Sequence, residues 1–204
     1  MTKWSRLSGL ALWAVVGIAV IVPLGLAAQS PLLQWRGPVY HIAGYAGILG
    51  LALMVIQPLL AGGYLAGLTL QFSRKIHRIS GALLVFCVVV HVGALLVTSP
   101  PDVVDALLFV SPTSFSAWGV VSMWCVFAAA GLVFLRHRIA LRLWRTVHTV
   151  LVSAAIIGTV VHVLLIEGTM NHASKVALCV LVCVAAVKVV HDMRVWAAWR
   201  RPRQ

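Results

Sequence analysis

The chain has 204 residues, of which 62% are hydrophobic and only 10% charged, and it carries 16 Lys and Arg against 4 Asp and Glu, a formal net charge of +12. A soluble domain carries about a quarter charged residues, so a water-soluble globule is excluded and no room is left for a second soluble domain. Such basicity can mark a nucleic-acid binder, but too little polar surface remains to build a hydrated basic face, and no nucleic-acid partner is expected.

A helix crossing a bilayer needs about 20 mainly apolar residues. Six stretches qualify in chain order: Leu7–Ala28, Val39–Leu60, Ile76–Val97, Phe115–Leu135, Val147–Glu167 and Lys175–Val195. Turn-formers separate several of them, from Pro31 to Pro38, at Gly62-Gly63, at Ser99-Pro100-Pro101 and at Ser111-Pro112. The first follows Lys3 and Arg6 like a signal peptide, but its apolar run exceeds the usual ~7–15 residues, so a retained span is expected.

The basic residues set the expected orientation. Lys3 and Arg6 precede span 1, and Arg74, Lys75 and Arg78 surround the second connection. Arg136, Arg138, Arg142 and Arg145 fill the fourth, and Lys188, Arg194, Arg200, Arg201 and Arg203 close the chain. Thus 14 of the 16 fall on one side, leaving Arg36 and Lys175 on the other. Because positive charge stays in the cytoplasm, the expectation is an all-α six-transmembrane-helix bundle with both termini cytoplasmic. Residues 1–204 then form one domain in the plasma membrane (the inner membrane of a bacterium).

Cys87, Cys125, Cys179 and Cys183 all lie inside spans, as small packing residues and not as a disulfide or zinc framework. Histidines are more telling, because ionisable groups inside membranes are functional candidates. His77 and His91 share the third span, and His148 and His162 share the fifth; each pair is fourteen residues apart. At ~100° and ~1.5 Å per residue each pair shares a helix face and spans about 21 Å. The two spans run in the same direction, so His77 matches His148 in depth near the cytoplasmic side, and His91 matches His162 nearer the outside.

Two imidazoles facing each other suit a porphyrin iron, one nitrogen from each side. One metal ion cannot bridge two levels about 21 Å apart, and two histidines alone make a poor zinc site. Two stacked b-type haems fit better, with His77 and His148 on the inner one and His91 and His162 on the outer. Small residues, among them Gly81, Gly93 and Gly158, suit helices parting around a flat ring or simply packing closely. His41 opens span 2 beside Tyr40 and Trp35, where it either touches the outer haem or a propionate or sits in the interfacial belt. Arg74, Lys75 and Arg78 suit propionates or a flavin phosphate, or serve as plain anchors. His137, His172 and His191 read as loop and interface residues.

The segment His77-Arg78-Ile79-Ser80-Gly81 followed by His91 resembles the third-helix signature of the ferric reductase-like transmembrane domain. Trp144-Arg145-Thr146-Val147-His148 followed by His162 resembles its fifth-helix counterpart. His41-Ile42-Ala43-Gly44 with Gln57-Pro58 is similar to the haem-binding membrane subunit of the periplasmic methionine sulfoxide reductase system. That family, which includes NADPH oxidases and ferric reductases, passes electrons across the membrane through two haems. The resemblance implies the same ligand set, and Arg78 and His41 stand beside it as candidate cofactor contacts by position. The large oxidases continue into a flavin and NAD(P)H domain, whereas this chain ends about ten residues after the sixth span. A stand-alone diheme core is therefore expected. Its donor would be a cytoplasmic flavoprotein reductase, or a flavin (FMN or FAD) held by the basic loops, and its acceptor a periplasmic or extracellular redox partner.

Three other readings compete. A transporter would use the histidines for proton relay, but it calls for acidic residues at membrane depth, and only Glu167 comes close. A membrane anchor subunit would hold a soluble redox partner without passing electrons. An intramembrane protease would need a Gly-x-Ser-Gly or His-Glu-x-x-His pattern, and neither is present.

Overall fold

A computed structural model describes residues 3–192, with side chains from residue 9 on. It has seven α-helices and no strand among the described residues: α1 (Lys3–Ala28), α2 (Pro38–Gly62), α3 (Leu70–Thr98), α4 (Pro100–Leu107), α5 (Ser114–Gly131), α6 (Leu141–Leu165) and α7 (His172–Asp192). All but α4 are long and apolar enough to cross a membrane. The protein is therefore an integral multi-pass membrane protein with the six expected spans. Lys3 and Arg6 have undescribed side chains, and Arg194, Arg200, Arg201 and Arg203 lie outside the described residues.

The helices exceed or fall short of the apolar runs for local reasons. The third begins at Leu70, six residues earlier than hydropathy suggests, because the Thr69 hydroxyl accepts a hydrogen bond from Phe72 N (3.3 Å) and caps it. The fourth span stops at Gly131 instead of Leu135, and successive turns then carry the chain to α6. Where the sequence marks only turn-formers at Ser99-Pro100-Pro101, the chain forms helix α4. Pro100 and Pro101 in fact occupy its first turn, where no intrahelical donor is needed, and Asp102 complements the helix dipole there. At the end of α2, Gly63 adopts φ 68°, a left-handed conformation that closes the helix at little cost to glycine.

Helix α2 is central, packing against α1, α3 and α7, while α5 and α6 form a second tight pair. The main core joins Leu51, Met54 and Val55 of α2 to Leu84 of α3, Val126 of α5, Ala155 of α6 and Leu178 of α7. Leu84 stands seven residues from both His77 and His91, and Ala155 seven from both His148 and His162. The core therefore fills the layer between the two histidine levels. Large apolar side chains such as Phe86, Val150, Val184 and Val187 face outward, which in a bilayer meets lipid instead of water.

Polar clasps join the helices where lipid offers no hydrophobic drive for association. The buried Ser73 hydroxyl donates to Leu60 O (2.8 Å), tying α3 to α2. Ser122 donates to Ala155 O (2.8 Å) and lies 2.6 Å from the Thr159 hydroxyl, tying α5 to α6. The α5–α6 approach depends on Gly158, where a Cβ would lie 2.9 Å from the Trp118 carbonyl oxygen and 3.0 Å from Ser122 Cβ. Backbone on the facing side cannot give way, so Gly158→Ala should destabilise the protein by about 1–3 kcal/mol. Thermal unfolding in detergent measures this, and an unchanged midpoint would contradict it.

At the opposite end from most of the basic residues, Lys175 is buried and donates to the carbonyl of Ile166, the cap residue of α6. A cation is favoured there by the negative end of the helix dipole. At the basic end, the Tyr64 phenol donates to Asp192, which also pairs with Lys188 at 2.9 Å. Partial burial, then the bond to Asp192 and its charge, push Tyr64 up to about 12 from an ordinary 10.0. The protonated phenol makes this tie, so its contribution is complete below pH 10 and is lost as pH rises toward 12. Ultraviolet titration should show one tyrosine ionising near pH 12, moving back toward its ordinary range in Asp192→Asn.

Candidate functional site

His77 and His91 are carried by α3, and His148 and His162 by α6; all four rings are half-buried. His77 and His148 each stand eight residues into their helix, and His91 and His162 each twenty-two. Helices α3 and α6 themselves make at most marginal contact, because α3 lies on α2 and α6 on α5.

Each ring is addressed by the backbone of the neighbouring helix. His91 Nδ1 lies 2.7 Å from Ala43 O, and His77 Nδ1 lies 3.2 Å from Gln57 O, both on α2. His162 Nδ1 lies 2.9 Å from Phe115 O at the start of α5. His148 Nδ1 faces Ala129 of α5 but is buried without a proper hydrogen bond. The acceptors Ala43 and Gln57 are fourteen residues apart, as are Phe115 and Ala129. That is the histidine spacing run in the opposite direction, as antiparallel packing requires.

A carbonyl can only accept, so each bonded Nδ1 carries the proton and Nε2 keeps its lone pair. Metal-binding histidines are held this way, the second nitrogen fixing tautomer and ring orientation. His148 is placed by another means, a near-parallel stack on Trp144 with ring centroids 5.1 Å apart and 7° between planes. The Trp144 indole in turn donates to Leu132 O (3.2 Å) and lies under the Arg136 guanidinium. Gln57 and Ser80 link α2 and α3 beside His77, the amide donating to the hydroxyl at 2.8 Å.

The remaining candidates are placed differently. The His41 ring sits 2.9 Å from Leu33 O, engaged with the turn before α2. Arg78 is exposed one residue beyond His77, and Arg74, Lys75, Arg136, Arg138, Arg142 and Arg145 are exposed at the same end. His137, His172 and His191 are exposed too, as the loop and interface reading expected. Among the described residues no three His, Cys, Asp or Glu side chains converge. All four cysteines are free.

The family model for the ferric reductase like transmembrane component matches residues 46–159, more than half of the chain. The chain belongs to this family. The match takes in His77, His91 and His148, and His162 follows three residues beyond it. No match was found among curated proteins or solved structures, so the likeness to the sulfoxide reductase subunit rests on the span 2 residues alone. Ferric reductase-like domains generally bind haem, and membership points to transmembrane electron transfer.

Nothing in the residue pattern marks Gly47, Gly119 or the acceptor carbonyls as part of the site, and Trp144 and Gln57 gain a role only from the structure. A carbonyl acceptor is backbone, so the identities of Ala43 and Phe115 carry no signal for it. Trp144 had a usable signal, since a tryptophan four residues before a histidine lies on the same helix face.

Proposed function

We propose that this ferric reductase-like protein conducts electrons across the membrane through two b-type haems. The basic-end haem is held by His77 and His148, the far-end one by His91 and His162. The observation that carries this reading is the set of backbone-bonded Nδ1 atoms, which leaves Nε2 of His77, His91 and His162 available as ligands at two levels. When bound, a bis-histidine haem supplies a reversible one-electron iron couple with no open coordination position.

The residues of the chain do the rest. The carbonyls of Ala43, Gln57 and Phe115 fix ring tautomers, and Trp144 orients His148. The core layer of Leu84, Ala155 and their neighbours fills the space between the levels with apolar side chains. The exposed arginines and Lys75 at the basic end form a face suited to anions or an acidic protein surface. With that face cytoplasmic, the donor is a flavoprotein reductase or a flavin (FMN or FAD) linked to NAD(P)H, and the acceptor lies outside. Arg78 is placed to pair with a propionate of the nearer haem, and His41 borders the far-end level. Residues 1–204 act as one unit in the plasma or bacterial inner membrane.

Two measurements test this. The purified protein should contain two haems per chain with a low-spin reduced-minus-oxidised spectrum. Vesicles containing it should pass electrons from external dithionite to trapped ferricyanide, while empty vesicles should not. Colourless, haem-free protein would favour proton relay by the histidines, and haem without transfer would favour an anchoring subunit.

A further inference from the structure

Three of the imidazoles are held on helix carbonyls with graded firmness, and the grade follows one position on the neighbouring helix. In an α-helix the carbonyl of residue i points toward residue i+4, whose Cβ tilts back toward the helix N-terminus. That Cβ flanks the oxygen, so a ring from outside reaches the carbonyl only where position i+4 leaves space. At the far end both such positions are glycine: Gly47 follows Ala43, and Gly119 follows Phe115. There the histidine bonds are 2.7 and 2.9 Å.

The space is used up. A Cβ on Gly47 would lie 2.9 Å from Nδ1 and 3.0 Å from Cε1 of His91, and one on Gly119 would lie 2.7 and 2.9 Å from the same atoms of His162. At the basic end Ala61 stands four residues after Gln57, whereas Ala129 lies two residues before the end of α5 and has no helical neighbour at that position. The alanine goes with a longer bond of 3.2 Å.

We propose that Gly47 and Gly119 are positioning residues which seat the far-end histidines on backbone carbonyls, making that ligand pair more electron-rich than the basic-end pair. The inference rests on the haem ligation proposed above. A firm Nδ1–H···O=C bond raises ligand basicity, which favours ferric iron, and hydrogen bonding around the ligands is an established lever on haem potential. Two haems with identical bis-histidine ligation are thereby made electronically distinct by the size of a residue on the next helix.

Single-haem backgrounds test this, with His77→Ala retaining the far-end haem and His91→Ala the basic-end one. Redox titration of the haem spectrum is the readout. Adding Gly47→Ala to His77→Ala should raise the midpoint potential and weaken haem affinity about ten- to a hundredfold, the usual effect of losing such a partner. The same change in His91→Ala should move nothing. Adding Ala61→Gly to His91→Ala should shift its potential downward as the His77 bond tightens. This opposite sign on the other haem decides the matter if Gly47→Ala fails to retain haem. Unmoved potentials in proteins that hold their haem would overturn the positioning role and leave the ligation intact. Wild-type protein without haem would overturn the ligation itself, and the positioning role with it.

Discussion

His77→Ala and His91→Ala should each lose one of two haems, and both should fail to carry electrons across a vesicle membrane. The levels are separate in structure: His77, His91 and His162 each have their own backbone acceptor, and His148 stacks on Trp144. Removing one imidazole leaves a single ligand on that level and leaves the other level untouched. His148→Ala should match His77→Ala, and His162→Ala should match His91→Ala, so four variants should fall into two spectral classes. His41→Ala should retain both haems, because its ring is engaged with Leu33 O. Haem quantitation and the reduced-minus-oxidised spectrum check all five. Two haems retained in His77→Ala or His91→Ala would remove the ligand assignment.

Spacing made most of this arrangement legible in the sequence. Fourteen residues is close to four helical turns, and alternating basic connections put spans 3 and 5 in the same direction, so the matched depths needed no coordinates. What stayed hidden was lateral. Helix α3 leans on α2 and α6 on α5, yet nothing in one sequence sets the register in which antiparallel helices pack. Gly47 and Gly119 therefore looked like ordinary small residues of a membrane helix, although each clears the path of one imidazole. The helix α4 was hidden for another reason. A Pro-Pro pair marks a break in hydropathy, and only the following Asp102 and Val103 show that it also opens a helix. Even the buried Lys175 was visible only as a charge at a span end; its carbonyl partner is contributed by the chain reversal after α6.

Replacing Trp144 should loosen the basic-end haem selectively. His148 lacks the backbone hydrogen bond that seats the other three histidines, so the stack on Trp144 is the main restraint on its ring plane. An aromatic pair of this kind contributes about 0.5–1.5 kcal/mol beyond its burial, and the indole is itself fixed by Leu132 O and by Arg136. Trp144→Leu keeps apolar bulk but lets the imidazole turn, and should lower affinity for the His77/His148 haem about tenfold, as loss of an orienting partner does. Trp144→Phe keeps a stacking face and should retain most of that affinity, although it loses the bond to Leu132. Arg136→Ala removes only a cation over the ring, worth about 0.5–1 kcal/mol where exposed, and should have the smallest effect. The far-end haem should not respond to any of the three. Haem titration of each variant in the His91→Ala background gives the order directly. Equal affinities for Trp144→Leu and wild type would mean that the helix backbone alone holds His148 in place.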